Sequence, residues 1–567
     1  MADARHGDGA TKPRRGWWWI DYVGAALGIL LAVLSTTPSL LSRTPLNQGL
    51  LTGLAFGVGY MIGALISTIA RRWIPAPGRR VARIAWAVLG AATVAVAVLM
   101  VPAFRRTQDQ LRDRVGVAHL TVTDLLVALG VAVGTAAALL LAGKGLAALQ
   151  RRMALGFTRR RDAEATRATG GAAALGITII AAGLVVLGAV GVGGFALYTE
   201  YSYRDYNASF SEYVKEPSGV YRSVGAQSAL SWENAGREGR NILGRGPNAH
   251  DISTVTGAPA VEPIRVYVGL DEPGGWDEHA AAAVGELERL HADERSVLVV
   301  AATTGTGWLD PQAIDAVEYL NHGDTALVAV QYTVAESWQS FAFHPGAYRE
   351  STAALVSAVH EWWSALPEDD RPRLILYGLS LGSRAMQESF ADAESLRAAG
   401  DGAVLAGTPY GTAINADLTA RRDEGSPVGV PVLDAGQQFR WFADGLDVSS
   451  SSGTWDQPRV AFLQHADDPI VWIGLPIVWS EPEWLREGQR SAEISPEMRW
   501  YPIVTGLQGM FDTAVDLDGP DGDGHRYGST TLEAWVAVAS AEDLAPDAVD
   551  AVRQRIVGED LPAGGDV

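Results

Sequence analysis

The stretch Arg373-Leu-Ile-Leu-Tyr-Gly378-Leu379-Ser380-Leu381-Gly382-Ser383 decides how the second half of the chain is read. Leu374–Tyr377 is a short apolar run that predicts a buried strand. It runs into Gly-x-Ser-x-Gly, and a helix-permissive stretch follows from Arg384. Strand, tight turn and helix form the setting in which this pentapeptide exposes a nucleophilic serine. The turn is sharp, so the residues two before and two after the serine must be small, and Gly378 and Gly382 meet that need. A helix N-terminus beside the serine favours developing negative charge. A chain with 63 glycines meets Gly-x-Ser-x-Gly by chance, so the reading depends on an acid and a base further along.

Around this stretch the pattern alternates. Strands are expected at 264–270, 296–302, 326–332, 402–408, 459–465 and 498–505. Helices are expected at 276–291, with Glu286 and Glu288 outward, at 311–320 and at 347–366. Continuous apolar strands alternating with helices predict a mostly parallel sheet covered on both faces, an α/β/α domain. Active sites of such sheets lie at the carboxyl ends of the strands. Residues 409–458 hold Tyr410, Phe439, Trp441, Phe442 and Trp455 between two expected strands, and are read as a cap over the pocket or an excursion with its own small core.

In strand–turn–helix serine sites the order is Ser, acid, His. Only His465 and His525 follow Ser380. His465 ends an expected strand. His525 sits in the Gly-rich loop Asp521-Gly-Asp-Gly-His-Arg-Tyr-Gly528, which suits a general base. Gln464-His-Ala-Asp467-Asp468-Pro-Ile470 offers the acid. Asp468 precedes proline, which restricts its backbone to extended conformations; it is favoured, with Asp467 the alternate and Asp512 and Asp516 remoter. Oxyanion donors are expected from the backbone of Leu381 and of Thr304 and Gly305, in the flexible loop after an earlier strand. That loop lacks the lysine of a phosphate cradle, and the carboxylates Asp516, Asp518, Asp521 and Asp523 break the EF-hand spacing. No cofactor or metal is called for. The chain has no cysteine, which removes thiolate nucleophiles and disulfides.

The first two hundred residues differ in kind. Apolar stretches near 20–41, 48–69, 84–103, 120–142 and 171–197 are each long enough to cross a bilayer, which takes about 20 residues. Trp17-Trp18-Trp19 reads as an interfacial belt, and Gly53, Gly57, Gly59 and Gly63 as close-approach positions. Residues 1–200 carry 21 Lys and Arg against 9 Asp and Glu; residues 201–567 carry 24 against 56. Lys and Arg concentrate in the N-terminal tail and in the loops after the second and fourth stretches, which puts the N-terminus inside and, after five crossings, residues 200–567 outside. The acidic second half argues against a nucleic-acid partner, and the lack of mid-depth ionisable residues argues against a transporter. Residues 200–262 read as a connecting arm, and Asn207-Ala-Ser209 as a formal glycosylation sequon.

Four motifs, Thr304-Gly-Thr-Gly-Trp308-Leu-Asp-Pro311, Gly378-Leu-Ser-Leu-Gly-Ser383, Leu463-Gln-His-Ala-Asp-Asp-Pro-Ile470 and Gly524-His-Arg-Tyr527, resemble the actinobacterial membrane-anchored α/β-hydrolase family over nearly the whole chain. Where that family usually has Glu before the nucleophile, this chain has Leu379. The resemblance implies an α-helical transmembrane domain at 1–199, an α/β-hydrolase domain at 263–567 and a triad of Ser380, Asp468 and His525. It implies no particular substrate. Proximity to the bilayer suggests a lipid or cell-envelope ester; an envelope acyltransferase with the same triad, or a non-catalytic scaffold, are the rival expectations.

Overall fold

The computed structural model describes residues 21–74, 78–158, 198–199, 201–211, 214–217, 219–225, 227–443, 453–515, 520–539 and 545–557. The chain divides into two compact units: residues up to Arg152 other than Ser39–Leu41, and Ser39–Leu41 with the rest.

The first unit is helical: α1 Tyr22–Leu34, α2 Pro45–Ala70, α3 Arg79–Arg114 and α4 Val122–Thr158. Three segments, Pro45–Ala70, Arg80–Arg114 and Val122–Leu149, are long and apolar enough to cross a membrane, while the apolar α1 is shorter. The span expected at 171–197 lies outside the described residues. The glycines of α2 serve two neighbours. A Cβ on Gly59 would lie 2.6 Å from the Leu27 carbonyl, and one on Gly63 2.6 Å from that of Val23. Gly24 and Gly28 of α1 meet Tyr60 and Phe56 in return. Two four-residue glycine spacings therefore face each other and bring the two backbones into contact. Gly53 and Gly57 abut Thr135 and Leu139 of α4.

The second unit is built on seven strands: β1 Ile264–Val268, β2 Val297–Ala302, β3 Thr325–Val330, β4 Arg373–Leu379, β5 Gly402–Ala406, β6 Phe439–Phe442 and β7 Arg459–Leu463. Their order is β1-β3-β2-β4-β5-β7-β6, and every pair is parallel. Five of the six expected strands form, and so does the strand of the opening stretch. The one expected at 498–505 does not. Its last residues start the helix Val504–Val515, and Ile503 just before it has φ 68°. Pro502 also removes a donor that a ladder would need. The seat beside β7 goes instead to β6, so Phe439, Trp441 and Phe442 are buried sheet core and do not line a cap.

Two further expectations change. Glu286 is buried, accepting from the Ala229 N–H and pairing with Arg289, because its helix lies on the segment before β1. That segment is integral to the domain: Trp232, Ile242, Leu243 and Ile252 join the main core. Asn207 of the sequon is buried and its amide oxygen accepts from Gln331 at 2.9 Å.

The strand order fixes where a site can form. After β2 the chain returns to β3 on one side; after β4 it proceeds to β5 on the other. The crevice between the ends of β2 and β4 is thus a topological switch point. Register aligns Ala302 with Gly378, Leu379 with Ala406, and Ala406 with Leu463. The loops that leave these residues start side by side.

Candidate active site

Ser380 follows β4 directly and precedes the helix Leu381–Glu388. Its backbone has φ 55° and ψ −124°, a conformation that a side-chain-bearing residue enters at a cost of about 1–3 kcal/mol. The cost is sustained by tight packing beneath it. A Cβ on Gly378 would lie 2.6 Å from the Gly382 carbonyl carbon, and one on Gly382 2.2 Å from the Ala302 carbonyl oxygen. Any larger residue at either place would push the helix off the sheet. The Ser380 N–H donates to the Ala406 carbonyl at 2.9 Å, which ties the turn to β5. Below it, Ser383, Thr408 and Gln387 form a buried hydrogen-bonded group, with 2.7 Å between the two hydroxyls.

The first hydrogen bond along that helix runs from Arg384 N–H to Ser380 at 3.1 Å. Leu381 therefore belongs to the first turn, whose N–H groups no helical carbonyl can accept, as an oxyanion donor must. Thr304 and Gly305 lie at the end of β2, in the expected crevice. Their N–H groups, however, already donate, Thr304 to the Trp308 carbonyl at 3.0 Å and Gly305 to the Ser337 hydroxyl at 3.0 Å. The loop is further pinned by Gln331 on the Thr306 carbonyl and Tyr267 on the Gly307 carbonyl. Of the two, Gly305 has the partner that a rotating hydroxyl could release.

Asp468 and His525, 57 residues apart, meet: His525 Nδ1 lies 2.8 Å from Asp468 Oδ2. Asp468 is fully buried and caps the short helix Pro469–Trp472, its Oδ1 accepting from Ile470 N–H at 2.8 Å and Val471 N–H at 3.4 Å. Pro469 fixes the first helical position, so the Asp-Pro pair both ends β7's loop and aims the carboxylate. A carboxylate oxygen only accepts, so Nδ1 carries the imidazole proton and Nε2 is left basic. Gly407, one residue beyond β5, lies against the ring; a Cβ there would be 2.6 Å from His525 Cε1. The same β5 end thus touches both the serine turn and the imidazole.

Asp467 is not on His525. It accepts from the Gly524 N–H at 3.2 Å. Burial and the neighbouring Asp523 carboxyl push it up to about 7. Asp512 accepts from Ser39 and Leu40, and Asp516 and Asp518 lie outside the described residues. Asp521 is bonded to Ser529. His465 is buried, with Nδ1 2.8 Å from the Gly524 carbonyl and Nε2 3.2 Å from the Thr530 hydroxyl. It braces the loop that carries His525. Gly407 and Tyr527 are site residues that motif reading did not single out by role; the only signal for Gly407 was a glycine at a strand end.

A family model described as "Alpha/beta-hydrolase family" matches residues 264–552, and one described as "Alpha/beta-hydrolase family N-terminus" matches residues 36–247. No curated protein and no solved structure matches the chain.

Proposed function

Because the chain belongs to the alpha/beta-hydrolase family, we propose that it is a membrane-anchored serine hydrolase that cleaves a carboxylic ester with Ser380, His525 and Asp468. The observation that carries this reading is the 2.8 Å contact of His525 Nδ1 with Asp468 Oδ2, beside the end of β5, where Gly407 abuts the imidazole and the preceding Ala406 accepts from the Ser380 N–H. In the first step Ser380 Oγ bonds to the ester carbonyl carbon and its proton passes to His525 Nε2. Asp468 holds the resulting imidazolium by Nδ1. Leu381 N–H, with a donor from the Thr304–Gly305 loop once it exchanges its present partner, carries the oxyanion. The C–O bond to the alcohol then breaks, the alcohol leaves with the proton from Nε2, and a water activated by the same nitrogen releases the acid.

Three helices of membrane-spanning length support anchoring; the Lys and Arg bias puts the segment after α4 inside, and the outer placement of the hydrolase domain rests on the further apolar stretch at 171–197. A lipid or cell-envelope ester is the substrate class that this location favours. The test uses full-length protein in detergent micelles, treated with a fluorophosphonate probe and with p-nitrophenyl esters of increasing chain length. Wild type should label and hydrolyse, and Ser380→Ala should do neither. Equal labelling and turnover by the two proteins would end the serine-hydrolase reading.

A further inference from the structure

We propose that Tyr527 is a positioning residue of this site, acting on the chemistry through Asp468; the inference rests on the serine-hydrolase reading above. The Tyr527 hydroxyl donates to Asp468 Oδ2 at 2.7 Å, the same oxygen that takes His525 Nδ1 at 2.8 Å. The other oxygen takes the Ile470 and Val471 amides. The hydroxyl itself accepts from the His465 N–H at 2.9 Å. A hydroxyl has one proton, so the direction of the chain is set: His465 N–H to Tyr527 oxygen, Tyr527 O–H to Asp468, with His525 Nδ1–H donating to the same carboxylate from the other side.

The ring that carries this hydroxyl has no freedom to turn. Tyr527 is fully buried. It stacks on His465 with centroids 4.0 Å apart and planes 12° apart, and its edge meets the His525 ring at 5.8 Å and 90°. A rigid donor to a charged acceptor makes one of the stronger hydrogen bonds in a protein. Here it does two things. It fixes the carboxylate plane so that Oδ2 faces Nδ1. It also draws charge from Oδ2, so that the proton on Nδ1 stays on the imidazole while Nε2 takes up the proton of Ser380. Phenylalanine at this place keeps the ring and its stack, and removes the donated proton together with the oxygen that accepts from the His465 N–H.

The experiment compares full-length wild type with Tyr527→Phe in detergent. It follows the rate constant of fluorophosphonate labelling against pH, and kcat and KM for a p-nitrophenyl ester. Rate constants are taken per labelled molecule, so partial unfolding lowers the end point and leaves the rate readable. The expected result is a roughly ten- to hundredfold lower labelling rate and kcat, little change in KM, and an acid limb moved to higher pH. The limb moves up because the unshared carboxylate stabilises the imidazolium more. Asp467, whose carboxyl senses Asp468, Asp523 and His465, is the same in both proteins, as are Asp523 and His465. A variant that keeps the wild-type rate and acid limb, whatever its melting temperature, overturns the positioning role. If wild type itself neither labels nor hydrolyses, the serine-hydrolase reading fails, and the inference with it.

Discussion

Gly407 stands so close to His525 that a Cβ on it would lie 2.6 Å from the imidazole Cε1 and 2.8 Å from the Tyr527 ring. Gly407 also has φ 55°, and its N–H donates to the Leu463 carbonyl at 2.9 Å, so it cannot drift away from the ring. The strand end is, in effect, the wall against which the base is set. Gly407→Ala should therefore displace the imidazole and lower ester hydrolysis by about a hundredfold or more, with the probe-labelling rate of Ser380 falling in parallel. Wild-type turnover in this variant would mean that the ring position is not what the reaction needs.

Asp468→Asn exchanges an acceptor for a group that can donate. The amide keeps the shape, yet the proton on Nδ1 loses its fixed partner and the imidazole can adopt the other tautomer. A fall of about a thousand- to ten-thousandfold in kcat is expected, with substrate binding nearly intact. Steady-state kinetics on a chromogenic ester measure it. Asp467→Asn, one residue away, should leave kcat within about tenfold, since that side chain meets Gly524 and not the base.

Asp467 supplies a pH signature of its own. Its folded-state value is raised from 3.8 to about 7, first by burial and then by Asp523. Below 3.8 both folded and unfolded chains hold the proton. As the pH rises, the unfolded chain releases it while the folded chain retains it until about 7, so this group's share of stability is lost across that window. Wild type should be more resistant to urea near pH 4 than near pH 7 by this contribution. Asp467→Asn should flatten that part of the profile; an unchanged slope would assign the pH dependence to other groups.

In the first unit, Gly63→Val should separate α1 from α2, because the added carbons meet the Val23 carbonyl and Gly24 Cα. Overpacking of this kind costs about 1–3 kcal/mol. A lower aggregation temperature of the full-length protein in detergent reports it. Substitution of Gly90, whose Cβ position is open, is the control and should have little effect.

Much of this architecture could be read from residues alone, and the exceptions have physical reasons. Ser380, Asp468 and His525 were legible because each sits where local chemistry restricts the backbone: between two glycines, before a proline, and in a glycine-rich loop. Strand β6 was not, since four residues of Phe-Arg-Trp-Phe give too short an alternation to outweigh the apolar run at 498–505. What separates those two segments is a seat beside β7, a tertiary fact with no local signature. Thr304 and Gly305 do follow a strand as expected, but nothing in a sequence reveals that Trp308 and Ser337 already hold their N–H groups. Tyr527 was quoted as part of a motif, yet its role depends on a carboxylate 59 residues away.

Chain order gives the site a direction in time. The nucleophile turn needs only β2, β4 and β5, all present once residue 407 has been made. The base needs residues 465–468 to receive it and arrives with residue 525, and its loop is held by Asp467, His465 and Asp468 together. A chain stopped at residue 500 holds Ser380 and Asp468 of the proposed triad and lacks His525. In the proposed triad the serine therefore meets its histidine only after residue 525 has been made, and a shorter polypeptide carries Ser380 without that partner.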